Sequence, residues 1–138
     1  MVSIEPVSTV CLAGVCAKIG EEPAFKRAFP LVGYTAFQNS VLAAYEIKSE
    51  GEIRGYFLQI KPSRGFKHYG DRESLLMIYP AFQRAGLGAT AMRLLKCIEG
   101  KTFFVSAKSN LASSNFFRKQ AGMRLLDETS RYVVYSRL

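Results

Sequence analysis

The segment that most limits how this chain can fold is Ser74–Tyr79 (Ser-Leu-Leu-Met-Ile-Tyr), an almost unbroken apolar run cut off by Pro80. A strand with one wet face alternates apolar and polar residues, so a run without alternation needs cover on both faces. A second such run follows at Thr102–Ala107 (Thr-Phe-Phe-Val-Ser-Ala). Between them a glycine-bearing turn opens a helix from Leu87 to about Glu99. Leu87, Ala91, Leu94, Leu95 and Ile98 fall on one side of it, Arg93 and Lys96 fall off that side, and Gly100 ends it. Two covered strands joined through an amphipathic helix make this an α/β chain with helices packed on a mixed sheet.

The flanking segments fit that architecture. Val2 to Val7 is β-prone, and Pro6 restricts it to an end or an edge. From Ser8 to about Phe29 the apolar residues, Cys11, Leu12, Val15, Cys16 and Ile19 among them, recur at helical spacing. Gly20 followed by Glu-Glu-Pro gives a stop and a restart, and Pro30 and Gly33 close the helical opening. Val41–Lys48 and Ile53–Lys61 read as a hairpin around Ser49-Glu50-Gly51-Glu52. In it Val41, Ala43, Tyr45 and Ile47 share one strand face, and Tyr56, Leu58 and Ile60 share a face of the other. Pro62 to Arg72 is a basic loop, and a second helix runs from near Ala112 to Ala121, closed by Gly122. Met123–Asp127 and Tyr132–Arg137 are the last two strands. With no repeat, low-complexity tract or linker, residues 1–138 read as a single domain.

Composition excludes several classes of protein. A chain of 138 residues buries roughly two thirds of its unfolded surface, so it needs no disulfide or metal to hold together. At 49% hydrophobic and 22% charged it is an ordinary globular composition, which argues against long disorder. No stretch reaches the ~20 apolar residues of a membrane span. The apolar run Val7–Ala17 lacks the basic start of a signal peptide. Three scattered cysteines, Cys11, Cys16 and Cys97, suit neither a disulfide framework nor a zinc site, and fit a reducing cytosol. Charge is unevenly shared. Residues 1–60 hold five basic and six acidic side chains, whereas residues 61–138 hold fourteen and five, a net of −1 against +9. An anionic partner for the second half (nucleic acid, a membrane surface or a phosphate-rich cofactor) and a merely solubilising basic face both fit this asymmetry.

The turn between covered strand and helix reads Gln83-Arg84-Ala85-Gly86-Leu87-Gly88-Ala89. Amides at a helix start lack intrahelical partners and lie at the positive end of the helix dipole. Gly86 and Gly88 remove side chains where a phosphate would approach, which makes a main-chain anion site. A tight strand-to-helix turn explains the same glycines without a ligand. A P-loop needs Lys and Ser/Thr after its last glycine, where Ala89 and Thr90 stand, and a dinucleotide fingerprint needs a third glycine where Ala91 stands.

Tyr79-Pro80-x-x-Gln83-x-x-Gly86-x-Gly88-Ala89 resembles the acyl-CoA-binding turn of the GNAT superfamily of N-acyltransferases. Downstream, Ser109-Asn110, Ser113/Ser114, Phe116-Phe117 and Lys119-Gln120-Ala121-Gly122-Met123 resemble that family's Asn…Ala/Ser…Phe-Tyr…Lys-x-Gly-Phe helix. The likeness is specific over Ser74–Met123. It implies a GNAT-type fold: a mixed, mostly antiparallel sheet, a splayed parallel strand pair, and helices on both faces. It implies acetyl-CoA or a longer acyl-CoA as co-substrate, held without metal. The pantetheine arm would pair with main chain at Met77, Ile78 and Tyr79, and the pyrophosphate would sit on the amides of Arg84, Ala85, Gly86, Leu87, Gly88 and Ala89, with Gln83, Asn110, Phe117 and Arg118 also near the cofactor.

Amide formation needs a base for the incoming amine, stabilisation of the thioester oxygen, and a proton for the departing thiolate. The resemblance makes Glu73 the base and places the oxyanion donor in the backbone near Tyr79. The family's helix tyrosine is missing. Its slot falls on Phe117 counting from Asn110, and on Arg118 counting back from Gly122. Water, Tyr79 or Tyr132 could supply the proton; otherwise the protein binds acyl-CoA without turnover.

The implied activity is acyl transfer to a primary amine of a small molecule, peptide or protein, in the cytoplasm, by a monomer or homodimer. A non-catalytic acyl-CoA-binding module and a basic RNA- or aminoacyl-tRNA-directed protein are the rival readings. Phe103-Phe104 and Phe116-Phe117 read as core rather than base-stacking platforms. The lone His68 reads as a solvent-facing loop residue, Cys97 as packing on the helix after the turn, and Cys11 and Cys16 as core.

Overall fold

The computed structural model describes residues 1–23, 39–62, 65–83, 86–95, 102–109, 111–120 and 122–137. Seven strands and three helices lie within them: β1 (Val2–Pro6), α1 (Leu12–Glu21), β2 (Val41–Ser49), β3 (Glu52–Ile60), β4 (Arg72–Ile78), α2 (Leu87–Leu94), β5 (Thr102–Ala107), α3 (Leu111–Lys119), β6 (Met123–Glu128) and β7 (Tyr132–Arg137). All seven strands join one sheet in the order β1-β2-β3-β4-β5-β7-β6. Every neighbouring pair is antiparallel except β4 and β5, which run parallel. Arg84, Ala85, Cys97, Asn110, and the restart and close of the helical opening after Pro23 lie outside the described residues.

The unbroken apolar strands are covered twice because each face has its own core. Toward α1, Val15, Cys16 and Ile19 pack with Ala44, Tyr56, Leu58, Ile60 and Met77. On the opposite face, Leu87, Ala91, Met92 and Leu95 pack with Ile47, Phe57, Ile78, Phe104, Phe117, Val133 and Tyr135. The period-2 alternation of β3 deals Tyr56, Leu58 and Ile60 to the first core and Phe57 to the second.

Three sequence expectations are corrected. A bulge between Val41 and Ala43 turns Val41 toward α1, while Ala43, Tyr45 and Ile47 stay on the other face, opposite Gln59, Phe57 and Gly55. On α2, Met92 is buried and Leu94 is 39% exposed, so the apolar arc is centred about one residue away from the one read from spacing. Cys16 is core, but Cys11 ends the 3-10 turn before α1 and is exposed.

The β2–β3 hairpin closes through two residues at positive φ, Glu50 at 57° and Gly51 at 76°. Such turns match the strand twist but suit Asn, Asp or Gly at both positions. Glu50→Asn is therefore expected to stabilise the protein by about 0.5–1 kcal/mol, read as a rise in melting temperature with unchanged circular dichroism.

Candidate active site

The site is built around β4 and begins with a missing ladder. Pairing of β4 with β5 comprises Arg72↔Thr102 and Glu73↔Phe103, although β4 continues to Ile78 and β5 to Ala107. The closed end is tied by side chains as well: Ser74 Oγ and Thr102 Oγ1 share a hydrogen bond, and Thr102 Oγ1 donates to the Arg72 carbonyl at 3.2 Å. Beyond it the two parallel strands part. Their facing edges offer main-chain groups that sheet pairing does not use.

Strand alternation decides which groups face the gap. Tyr79 N–H donates to the Arg54 carbonyl of β3 at 2.9 Å, and the β3–β4 register is regular from Ile60↔Glu73 to Gly55↔Ile78. The main chain of Tyr79, Met77 and Leu75 is thus turned to β3, and that of Ile78, Leu76 and Ser74 toward β5. Of the three residues expected to meet a pantetheine arm, Ile78 faces the gap and Met77 and Tyr79 do not. Tyr79's amide, engaged by Arg54, is not available to an oxyanion.

The turn after β4 is anchored onto β3 and β4. The Arg54 guanidinium lies 3.9 Å from the centre of the Phe82 ring and 3.2 Å from Glu52. Gln83 donates from Nε2 to the Ile78 carbonyl at 2.9 Å and from its N–H to the Pro80 carbonyl at 3.3 Å. Gln83 therefore shapes the turn; its side-chain amide is already bonded. Gly86 follows as the N-cap of α2, at φ 78° and ψ 3°, with nothing within 4 Å of where a Cβ would stand. Its backbone demands glycine, and the space over it is open. The amides of Leu87, Gly88 and Ala89 form the first turn of α2, where intrahelical partners are lacking.

Gly88 has a packing reason that its spacing does not show. A Cβ there would stand 2.9 Å from Cε1 of Phe116, which packs from α3 against the first turn of α2. Phe117, expected near the cofactor, is core: its ring centre lies 5.0 Å from that of Phe104 and 5.8 Å from that of Tyr135. Arg118, one residue round the helix, is exposed and donates to Asn115 Oδ1 at 3.0 Å.

Glu73 lies within β4 rather than at its start, one residue after Arg72. It is 5% exposed, its Oε1 has no hydrogen-bond partner, and burial pushes its carboxyl up to about 7. By alternation it shares the α1 face with Leu75 and Met77. A buried carboxyl titrating near neutrality can accept a proton at physiological pH.

Tyr79 sits six residues along the chain, about 20 Å for an extended strand, with its ring centre 6.2 Å from that of Tyr56. Burial first, then a hydrogen bond with Tyr79, holds the Tyr56 phenol above its ordinary pKa. Glu73 and the Tyr79 side chain therefore mark opposite ends of β4. Tyr132, the other candidate proton source, packs its ring 4.9 Å from Phe66.

The loop before β4 is more ordered than its basic composition suggests. Phe66 is buried, Tyr69 lies 5.7 Å from Phe103, and the Tyr69 hydroxyl donates to the Asp127 carboxylate. That bond raises the Tyr69 pKa and lowers that of Asp127. His68 is exposed and stacks 3.9 Å from Tyr69. This clamp, spanning residues 58 apart, was missed in the sequence, where only the aromatic content of the loop hinted at it. Also missed were buried polar groups on the α2–α3 face: Gln59, Ser74 and Ser106. Their signal was a polar residue inside an apolar strand. Among the described residues no three His, Cys, Asp or Glu side chains gather as metal ligands, and no helix is long and apolar enough to cross a membrane.

No protein-family profile and no curated protein matches the chain. Solved structures do. An acetyltransferase from Thermus thermophilus aligns with a TM-score of 0.66 and 18% identity, over 99% of this chain and 96% of that one. Naa50 of Arabidopsis thaliana, in complex with the bisubstrate analogue CoA-Ac-MVNAL, aligns at 0.64 and 13%, over 99% and 98%. A GNAT family acetyltransferase from Elizabethkingia anophelis with acetyl-CoA bound aligns at 0.60 and 13%, over 99% and 98%. The chain has the GNAT acyltransferase fold, with a mostly antiparallel sheet, one parallel pair, and helices on both faces.

Proposed function

We propose that this protein is a GNAT-type N-acyltransferase that moves an acetyl or other acyl group from acyl-CoA to a primary amine. The observation that carries the reading is the parting of β4 and β5 after two residue pairs, beside an open, left-handed glycine turn at a helix start. A slot between parallel strands can take an extended chain of amides, and the helix start can take a diphosphate. Acyl-CoA supplies both, together with an acyl group activated as a thioester. In this reading Leu87, Gly88 and Ala89, with Gly86 and the flanking Arg84 and Ala85, hold the pyrophosphate through main chain. Leu76 offers its gap-facing main chain to the pantetheine arm and Ile78 its N–H, the Ile78 carbonyl being held by Gln83.

Glu73 takes the proton that the amine must lose as nitrogen attacks the acyl carbon and the carbon–sulfur bond breaks. With Phe117 in the core, no hydroxyl stands in the helix slot, and water returns the proton to sulfur. Much of the rate then comes from holding amine and thioester together. The same replacement favours, as a second reading, a module that binds acyl-CoA without turnover.

Acetyl-CoA with a panel of primary amines, followed by release of free thiol, tests the first reading. Thiol release that depends on an amine is expected. A raised melting temperature with CoA but no release from any amine would leave the binding module. No change in melting temperature at saturating CoA would remove both, since a ligand at a hundred times its Kd stabilises by about 2.7 kcal/mol.

A further inference from the structure

Glu73 is the last residue of β4 that pairs with β5, and both of its neighbours in the chain are tied down by side-chain hydrogen bonds. Before it, the Arg72 guanidinium donates to Gln59 Oε1 of β3 at 2.8 Å. After it, Ser74 Oγ shares a hydrogen bond with Thr102 Oγ1 of β5, while Thr102 Oγ1 donates to the Arg72 carbonyl at 3.2 Å. A hydroxyl has one proton to give. Thr102 gives its proton to Arg72, so Ser74 is the donor to Thr102, and the chain runs from Ser74 through Thr102 to the main chain of Arg72. The Thr102 hydroxyl thus grips β4 one residue before Glu73 and one residue after it.

Alternation sets this network on the α2–α3 face and Glu73 on the α1 face, where Ile60 of β3 and Phe103 of β5, both apolar and buried, stand opposite it. Burial is what raises the Glu73 carboxyl, and it lasts only while β3, β4 and β5 stay together at this level. No pairing with β5 follows Glu73, and an unsupported ladder end frays. Two apolar side chains would fill the places of Ser74 and Thr102 without desolvating hydroxyls, but would put no bond across the last pair. We propose that Thr102 and Ser74 are positioning residues, whose hydroxyl chain pins the end of the β4–β5 ladder and so keeps the Glu73 carboxyl dry and in place. The consequence for turnover rests on the acyl-transfer reading above; the consequence for the carboxyl does not.

The test compares wild type with Thr102→Ser, Thr102→Val and the double variant Ser74→Ala/Thr102→Val. Removing both hydroxyls together strands neither, so the double variant is expected to melt at or above the wild-type temperature. Carbon NMR of the Glu73 carboxyl should give a titration midpoint at about 7 in wild type and in Thr102→Ser, which keeps the hydroxyl. In both valine variants water reaches the carboxyl, and the midpoint should fall by about one pH unit. With acetyl-CoA and an accepted amine, kcat should fall about tenfold or more in the valine variants, with CoA affinity unchanged. A midpoint that stays at the wild-type value in the double variant would overturn the proposal, whatever happens to its melting temperature, and leave the network serving the fold alone. So would an unchanged kcat in an enzyme that turns over. Absence of thiol release from wild type with every amine would instead overturn acyl transfer, and the carboxyl titration would still decide for or against the pin.

Discussion

Replacing Glu73 by glutamine is expected to do two opposite things at pH 8: slow turnover by about a hundredfold or more, and make the fold more stable. Both follow from a carboxyl that is 5% exposed and raised by burial from 4.5 to about 7. In wild type the proton acceptor exists only as the carboxylate, so rate rises through about pH 7 and the variant loses most above it. For stability, the folded-state pKa is above the unfolded one. Below about 4.5 the group is neutral in both states and contributes no penalty. Between 4.5 and 7 the unfolded chain releases the proton first, and wild-type stability falls as pH rises. Above 7 the full penalty is present, about 3 kcal/mol from the shift. Urea unfolding of both proteins from pH 4 to pH 8 should show curves that coincide at the acid end and separate toward the alkaline end. Parallel curves would show that burial does not perturb this carboxyl.

The second large effect is expected at Gly86. Its φ of 78° strains any side chain, and the open space above it admits one. Gly86→Ala isolates the strain, about 1 kcal/mol of stability with the helix start intact. Gly86→Glu adds a negative charge where a diphosphate is proposed to sit. CoA affinity should fall more than tenfold from alanine to glutamate, and the difference should shrink with added salt. Equal CoA affinities for the two variants would move the pyrophosphate elsewhere.

How far the chain could be read in advance differs from residue to residue. β5 was bounded at Thr102 and Ala107, and β7 at Tyr132 and Arg137, because runs of apolar and β-branched residues end at polar or glycine-bearing turns. The turn at Gly86 is legible because a tight strand-to-helix connection is a local requirement; its positive φ is what the structure adds. Met92 was missed and Leu94 over-read because the edges of a helix's buried arc are set by what it lies on. At Gly88 the sequence leaves a phosphate site and a tight turn as alternatives and shows no packing reason, because the ring that would meet a Cβ there belongs to Phe116, 28 residues later.

What the sequence by itself determined is therefore the local part: the strand and helix segments, the glycine turn between β4 and α2, and a carboxyl next to a covered apolar run. Tertiary structure alone decided that Glu73 is dry enough to titrate near 7, that Phe117 lies in the core and the Phe116 ring against Gly88, and that β4 and β5 separate after Glu73 and Phe103. The physical reason is range. Propensity and periodicity act over a few neighbouring residues, whereas desolvation, ring packing and strand separation depend on which distant segments the fold brings together.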